Sequence, residues 1–169
     1  MRLVADVMMA KLARWLRLAG IPIQDAQGSD DSAVIRFVKH RHALLITADR
    51  RLAERAGRRR FRVLLVSQKD LDSQIAFVMK SLGLKISAMP SMICPVCNIK
   101  LRSVSKGYAR SKVPERAYKM HRKFYTCTKC GRIYWHGTHW DAIERRFRRV
   151  RRIMRAIEGS PPQPLPHLR

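Results

Sequence analysis

Ala43-Leu44-Leu45-Ile46-Thr47 is an unbroken apolar run that ends at Ala48-Asp49-Arg50. A run without polar alternation reads as a strand buried on both faces, the habit of parallel sheets covered by helices on each side. The flanking sequence agrees. Leu3-Val4-Ala5 is a short buried strand ending at Asp6, and Met8 to Ala19 is helical, with Leu12, Trp15, Leu16 and Ala19 on one face and Lys11, Arg14 and Arg17 on another. Gly20 stops that helix. Ile21-Pro22-Ile23-Gln24 reads as an edge strand, because proline cannot donate to a central ladder. Asp30-Asp31-Ser32 opens a second helix faced by Val34, Ile35 and Val38. After Asp49 a short helix runs to Gly57. Arg62-Val63-Leu64-Leu65-Val66 is another buried strand, followed by a helix from about Asp70 to Leu82. Strand and helix alternate through 1–86, which predicts an α/β fold with a parallel sheet flanked by helices.

Beyond residue 86 the composition changes. Ser87, Pro90 and Ser91 mark a linker, and residues 87–140 carry all four cysteines as two Cys-x-x-Cys pairs, Cys94/Cys97 and Cys127/Cys130. That spacing lets two turns grip one tetrahedral ion, so the segment reads as a zinc ribbon with a structural Zn. His121, His136 and His139 are surplus to a complete four-thiolate set. Phe124-Tyr125-Thr126 and Arg132-Ile133-Tyr134-Trp135 supply its strands, with Tyr134, Trp135 and Trp140 expected as ribbon core. Disulfides are the less economical reading in a chain whose first residues run straight into structure, which also makes the cytoplasm the expected location.

The last segment, 141–169, begins as a long helix over Asp141–Glu158. Ile143, Phe147, Val150, Met154 and Ile157 recur at helical spacing. Arg145, Arg146, Arg148, Arg149, Arg151, Arg152 and Arg155 cover the rest. Gly159 ends the helix, and Pro161, Pro162, Pro164 and Pro166 follow. The whole chain of 169 residues sets 36 Lys and Arg against 12 Asp and Glu, a formal charge of +24. Such an excess points to a polyanion, and nucleic acid suits it better than a membrane, since no stretch resembles a transmembrane span.

Residues 1–90 hold only eight acids, and four of them fall where the carboxyl ends of parallel strands would gather them: Asp6, Asp30, Asp31 and Asp49. Oxygen donors of this kind suit Mg or Mn, and those ions suit phosphodiester hydrolysis. Each acid also has a structural reading. Asp30, Asp31, Asp49 and Asp70 are well placed to cap helices, whereas Asp6 at a strand end has less to gain from capping.

The run Val4-Ala5-Asp6-Val7-Met8-Met9-Ala10-Lys11-Leu12-Ala13-Arg14-Trp15-Leu16-Arg17-Leu18-Ala19-Gly20 closely resembles the start of the PIN-like ribonuclease domain. That domain stands at the C-terminus of mutator-seven exonucleases and alone in prokaryotes. The likeness continues through Asp30-Asp31, Leu44 to Arg50, Val63 to Val66, both cysteine knuckles and Tyr134-Trp135-His136-Gly137-Thr138-His139-Trp140, so it spans about 1–140. It implies a PIN-like fold, RNA cleavage, and a Mg or Mn site on Asp6, one or both of Asp30 and Asp31, and Asp49, with Thr47 supporting Asp49. Asp70 and Asp72 are candidates for a fourth acid. Lys11, Arg14, Arg17 and Arg50 would hold phosphates near that edge, and Arg145, Arg146, Arg148, Arg149 and Arg152 would bind RNA electrostatically. Two departures stand out: Ala10 replaces the glycine often found before the lysine, and the arginine helix and tail lie outside the resemblance. The competing expectation is a non-catalytic protein docked on ribosomal RNA or an assembling ribosome, which the charge fits equally well.

Overall fold

A computed structural model describes residues 1–28, 30–86 and 92–157; most of the expected linker and the proline-rich tail lie outside them. Four parallel strands, β1 (Leu3–Ala5), β2 (Gln24–Asp25), β3 (Leu44–Thr47) and β4 (Val63–Leu65), form one sheet in the order β2-β1-β3-β4. The register sets Ala5 opposite both Asp25 and Ile46, and Thr47 opposite Leu65. Four helices alternate with the strands: α1 (Ala10–Leu18), α2 (Asp31–Arg41), α3 (Arg50–Arg58) and α4 (Leu71–Ser81). Because side chains alternate across a strand, Leu3, Ala5, Leu44 and Ile46 pack towards α1 and α4, while Val4 and Leu45 pack towards α2 and α3. Both central strands are buried throughout, as the apolar run at 44–47 requires.

Two strands differ from their expected form. The expected strand Ile21–Gln24 is displaced to Gln24–Asp25, because Pro22 has no N–H and the Ile23 N–H is taken by the Asn98 side chain at 3.0 Å. β4 is only half-buried, since it is a sheet edge rather than an interior strand. A 3-10 turn over Val7–Met9 also precedes α1, so the helix begins at Ala10.

The second half builds a three-stranded antiparallel sheet from β5 (Arg102–Val104), β6 (Phe124–Thr126) and β7 (Ile133–Trp135), with β6 central and Phe124 fully buried against Trp135. Two short helices unforeseen in the sequence, α5 (Lys106–Ala109) and α6 (Glu115–Met120), occupy the β5–β6 connection. The arginine-rich helix α7 runs over Thr138–Ala156, three residues earlier than expected at its start. Gly137 precedes it, where a Cβ would come within 2.8 Å of the Trp135 indole nitrogen. α7 lies against α4 and α1: Val150, Ile153, Met154 and Ile157 join the apolar cluster of the parallel sheet, and the Phe147 ring meets Trp15 edge-on at 5.8 Å. Among the described residues no helix is long and apolar enough to cross a membrane.

A candidate metal centre and an acidic sheet edge

The two cysteine pairs are built alike. Asn98 N donates to Cys94 O and Gly131 N to Cys127 O, both at 2.9 Å, and Asn98 and Gly131 each adopt a positive φ (57° and 69°) that closes the turn. Cys97 N also donates to Cys94 Sγ at 3.4 Å. The four sulfurs lie within 4.8 Å of one another and none is in a disulfide. This soft, four-fold donor set fits a tetrahedral zinc ion. Burial pushes the Cys94 thiol up, but the Tyr134 hydroxyl, 3.1 Å from its sulfur, and the N–H groups of Cys97 and Val96 outweigh that and bring it down to about 7. Cys97 moves the other way, pushed up to about 12 by burial and by the neighbouring thiols. Thiols this crowded resist shared ionisation unless a cation joins them.

The sheet's C-terminal edge carries the acids. Asp6 is 8% exposed and both its oxygens are engaged: Oδ1 accepts from Val7 N at 2.6 Å and Oδ2 from the Thr47 hydroxyl at 2.8 Å. Contrary to the sequence expectation, Asp6 is therefore a cap as well, closing the 3-10 turn. The Thr47 oxygen in turn accepts from Asp49 N at 3.0 Å, so Asp6, Thr47 and Asp49 form one hydrogen-bonded chain across β1 and β3. Asp49 caps α3 through Oδ1 to Arg51 N and Leu52 N, and Asp30 caps α2 through Oδ1 to Ser32 N and Ala33 N. Asp31, in the first turn of α2, pairs with Arg55 at 3.5 Å. Among the described residues the cysteines are the one set of three or more candidate ligands gathered within 4.8 Å; the aspartates are not drawn together to that degree.

The candidate fourth acids have structural partners. Asp70 caps α4 on Ser73 N. Asp72 sits between Arg146 and Arg149, each at 2.9 Å. Arg146 is half-buried and lies 4.5 Å over the Trp15 ring, whereas Arg149 stays exposed while paired with Asp72. Arg145, Arg148 and Arg152 are exposed, as are Lys11, Arg14 and Arg50. Arg17 is not. It is 3% exposed, and its guanidinium donates to the carbonyls of Ile23, Pro95 and Val96 and pairs with Asp25 at 2.8 Å. Its place beside Arg14 on a helical wheel gave no sign that residues 78 positions away cover it. Tyr134 and Trp135 line a small apolar cleft with Leu18, Pro95 and Tyr125 and are half-buried, while Trp140 is half-buried with His136 stacked on it at 4.7 Å.

A family model described as Mut7-C RNAse domain matches residues 1–147 of the chain. No curated protein and no solved structure matches it.

Proposed function

The chain belongs to the Mut7-C RNAse domain family, and from that membership we propose a divalent-metal-dependent endoribonuclease working at the acidic edge of the parallel sheet. The observation that carries the proposal is the Asp6–Thr47–Asp49 hydrogen-bonded chain at the ends of β1 and β3, the place where open α/β sheets put their chemistry. Asp6, Asp30 or Asp31, and Asp49 would hold Mg or Mn, and the donor chemistry fits: every ligand is a carboxylate oxygen, and the caps at Asp30 and Asp49 engage only Oδ1. When bound, the ion supplies an activated water and charge neutralisation at the phosphate. The chain's own residues do the positioning. The Thr47 hydroxyl donates a hydrogen bond to Asp6 and accepts one from the Asp49 backbone N–H, so it fixes both residues relative to one another. Lys11 and Arg14, on the helix that follows Asp6, and Arg50, next to Asp49, offer cations for the phosphates on either side. Four thiols gathered as metal donors suit a reducing compartment such as the cytoplasm.

The second reading, a non-catalytic binder of ribosomal RNA or of an assembling ribosome, is favoured by the exposed arginines of α7. One experiment separates the two. Zinc-loaded wild type and Asp6→Asn are given structured RNA with and without added Mg or Mn. Cleavage by wild type only with added metal, a loss of about a hundredfold or more in Asp6→Asn, and unchanged RNA affinity support the nuclease. Equal cleavage by Asp6→Asn removes the acidic site from the mechanism, and tight binding with no cleavage by wild type supports the binder.

A further inference from the structure

The cysteine centre and the acidic edge are joined by two side chains, the buried Arg17 and the knuckle residue Asn98. Arg17 spends its whole guanidinium at the junction. Nε and Nη2 donate to Ile23 O at 2.9 and 2.7 Å, and Nη1 reaches Pro95 O and Val96 O at 3.1 and 3.3 Å. Pro95 and Val96 are the two residues held between Cys94 and Cys97. Asn98, which ends the same knuckle in a left-handed conformation, accepts from Ile23 N at 3.0 Å. Both polar backbone groups of Ile23 are thus bound to this junction. Gln24 and Asp25, the next two residues, are all of β2. Asp25 receives the Arg17 ion pair, sits opposite Ala5 in the register, and is followed by Ala26, whose N–H donates to Ala5 O at 2.7 Å. Ala5 is covalently joined to Asp6.

We propose that Arg17 and Asn98 are positioning residues that transmit the geometry of the metal-bound Cys94–Cys97 knuckle to β2 and so hold Asp6 in place, making the ribonuclease respond to the metal state of its cysteine centre. The proposal rests on the nuclease reading for its functional consequence and on geometry alone for the coupling. The path is short: knuckle carbonyls, one guanidinium, one strand of two residues, then the neighbour of the acid. Its strength comes from burial. A guanidinium 3% exposed, with carbonyls and a carboxylate as partners, cannot exchange them for water, so a knuckle that opens on losing its metal strands the charge. Lysine cannot replace it, because one ammonium does not reproduce a planar fork shared by three carbonyls. Metal withdrawal from Cys94 and Cys97 would act along the same path.

The test uses the full-length, zinc-loaded protein. Asn98→Gly keeps the positive φ and removes only the acceptor of Ile23 N–H; Asn98→Asp restores an oxygen there; Arg17→Lys keeps the charge and loses the fork. Zinc release to a chromogenic chelator, amide exchange over residues 23–26, RNA affinity and RNA turnover are measured. Asn98→Gly and Arg17→Lys are expected to release zinc about tenfold faster or more, because the Cys94–Cys97 knuckle loses the contacts that brace it. Exchange over 23–26 rises while β3 and α4 keep their protection, and turnover falls with RNA affinity unchanged. Asn98→Asp recovers the wild-type exchange, and removing zinc from wild type reproduces the Asn98→Gly pattern. Unchanged protection over 23–26 after zinc removal, or wild-type zinc release by both variants, overturns the coupling. A loss of protection throughout the fold overturns it too, since the residues are then merely structural. If no RNA is cleaved by any form, the nuclease reading fails, and zinc release and exchange still decide the coupling.

Discussion

Asp30, proposed for the acidic site, serves the fold as the cap of α2. The Ala33 N–H, opposed by slight burial and helped by the Ser32 N–H and the charges of Arg36 and Arg55, holds its carboxyl below the usual 3.8. A carboxyl depressed in the folded state contributes stability that is fully present above its ordinary value. That contribution is lost as pH falls through the lower, folded value. Asp30→Asn keeps the cap oxygen and removes the titration. The variant should therefore match wild type near neutrality and lose less stability as pH falls below the ordinary carboxylate value. Urea midpoints from neutral to acid pH check it, and parallel curves would mean that the cap does not feel the charge. The same substitution bears on chemistry independently, because only Oδ1 is engaged by the cap. The sequence alone made Asp30 and Asp49 legible as caps, since an acid immediately before an apolar-periodic run has few other uses. It hid the cap at Asp6, because a 3-10 turn of three residues leaves no periodic trace.

Among the elements, the long apolar runs were the readable ones. β3 and β1 emerge where unbroken Leu, Val and Ile demanded burial on two faces, and α4 where Leu71, Ile75, Val78 and Met79 share a stripe. What failed was set by partners far away in the chain. β2 starts at Gln24 because Asn98 takes Ile23 N–H, and Arg17 is buried because residues 95 and 96 cover it. α7 was legible as an amphipathic helix, but its spacing did not say what its stripe packs against. The structure answers with Trp15, α4 and the parallel sheet's own core. An element that shares that core should cost the whole fold when it is weakened. Phe147, 2% exposed and edge-on to Trp15, is the sharpest probe. Phe147→Ala should destabilise the protein by about 3–5 kcal/mol and expose amides of α1 and α4 together. Denaturant unfolding with exchange readout measures this; a loss confined to α7 would mean that the helix is an appendage.

At the scale of the molecule, a charge of +24 has to be read together with where the cations go. Several already have partners: Arg17 is buried on the knuckle, Arg146 and Arg149 pair with Asp72, and Arg151 with Glu144. Those remaining on the outside of α7 include Arg145, Arg148 and Arg152, and because α7 packs beside α1 they stand on a neighbouring helix to Lys11 and Arg14. α1 begins directly after the 3-10 turn that Asp6 caps. The cations proposed to hold a polyanion are the exposed ones of both helices, as distinct from the arginines already paired with acids. Counterion release gives this division a measurable form. Each phosphate contact to single-stranded RNA steepens the fall of log affinity with log salt by about 0.7. Replacing Arg145, Arg148 and Arg152 together by Ala should therefore flatten the slope by about 2, weaken different RNAs alike, and leave the urea midpoint near wild type, since none of the three has an ion-pair partner among the described residues. Arg146→Ala should do the reverse, costing stability through Asp72 and Trp15 while leaving the slope almost unchanged. Affinity titrations of two unrelated RNAs from low to high salt, on wild type and both variants, settle the assignment. A triple variant with the wild-type slope would show the α7 stripe to be an ordinary solvated face and move the RNA contacts elsewhere.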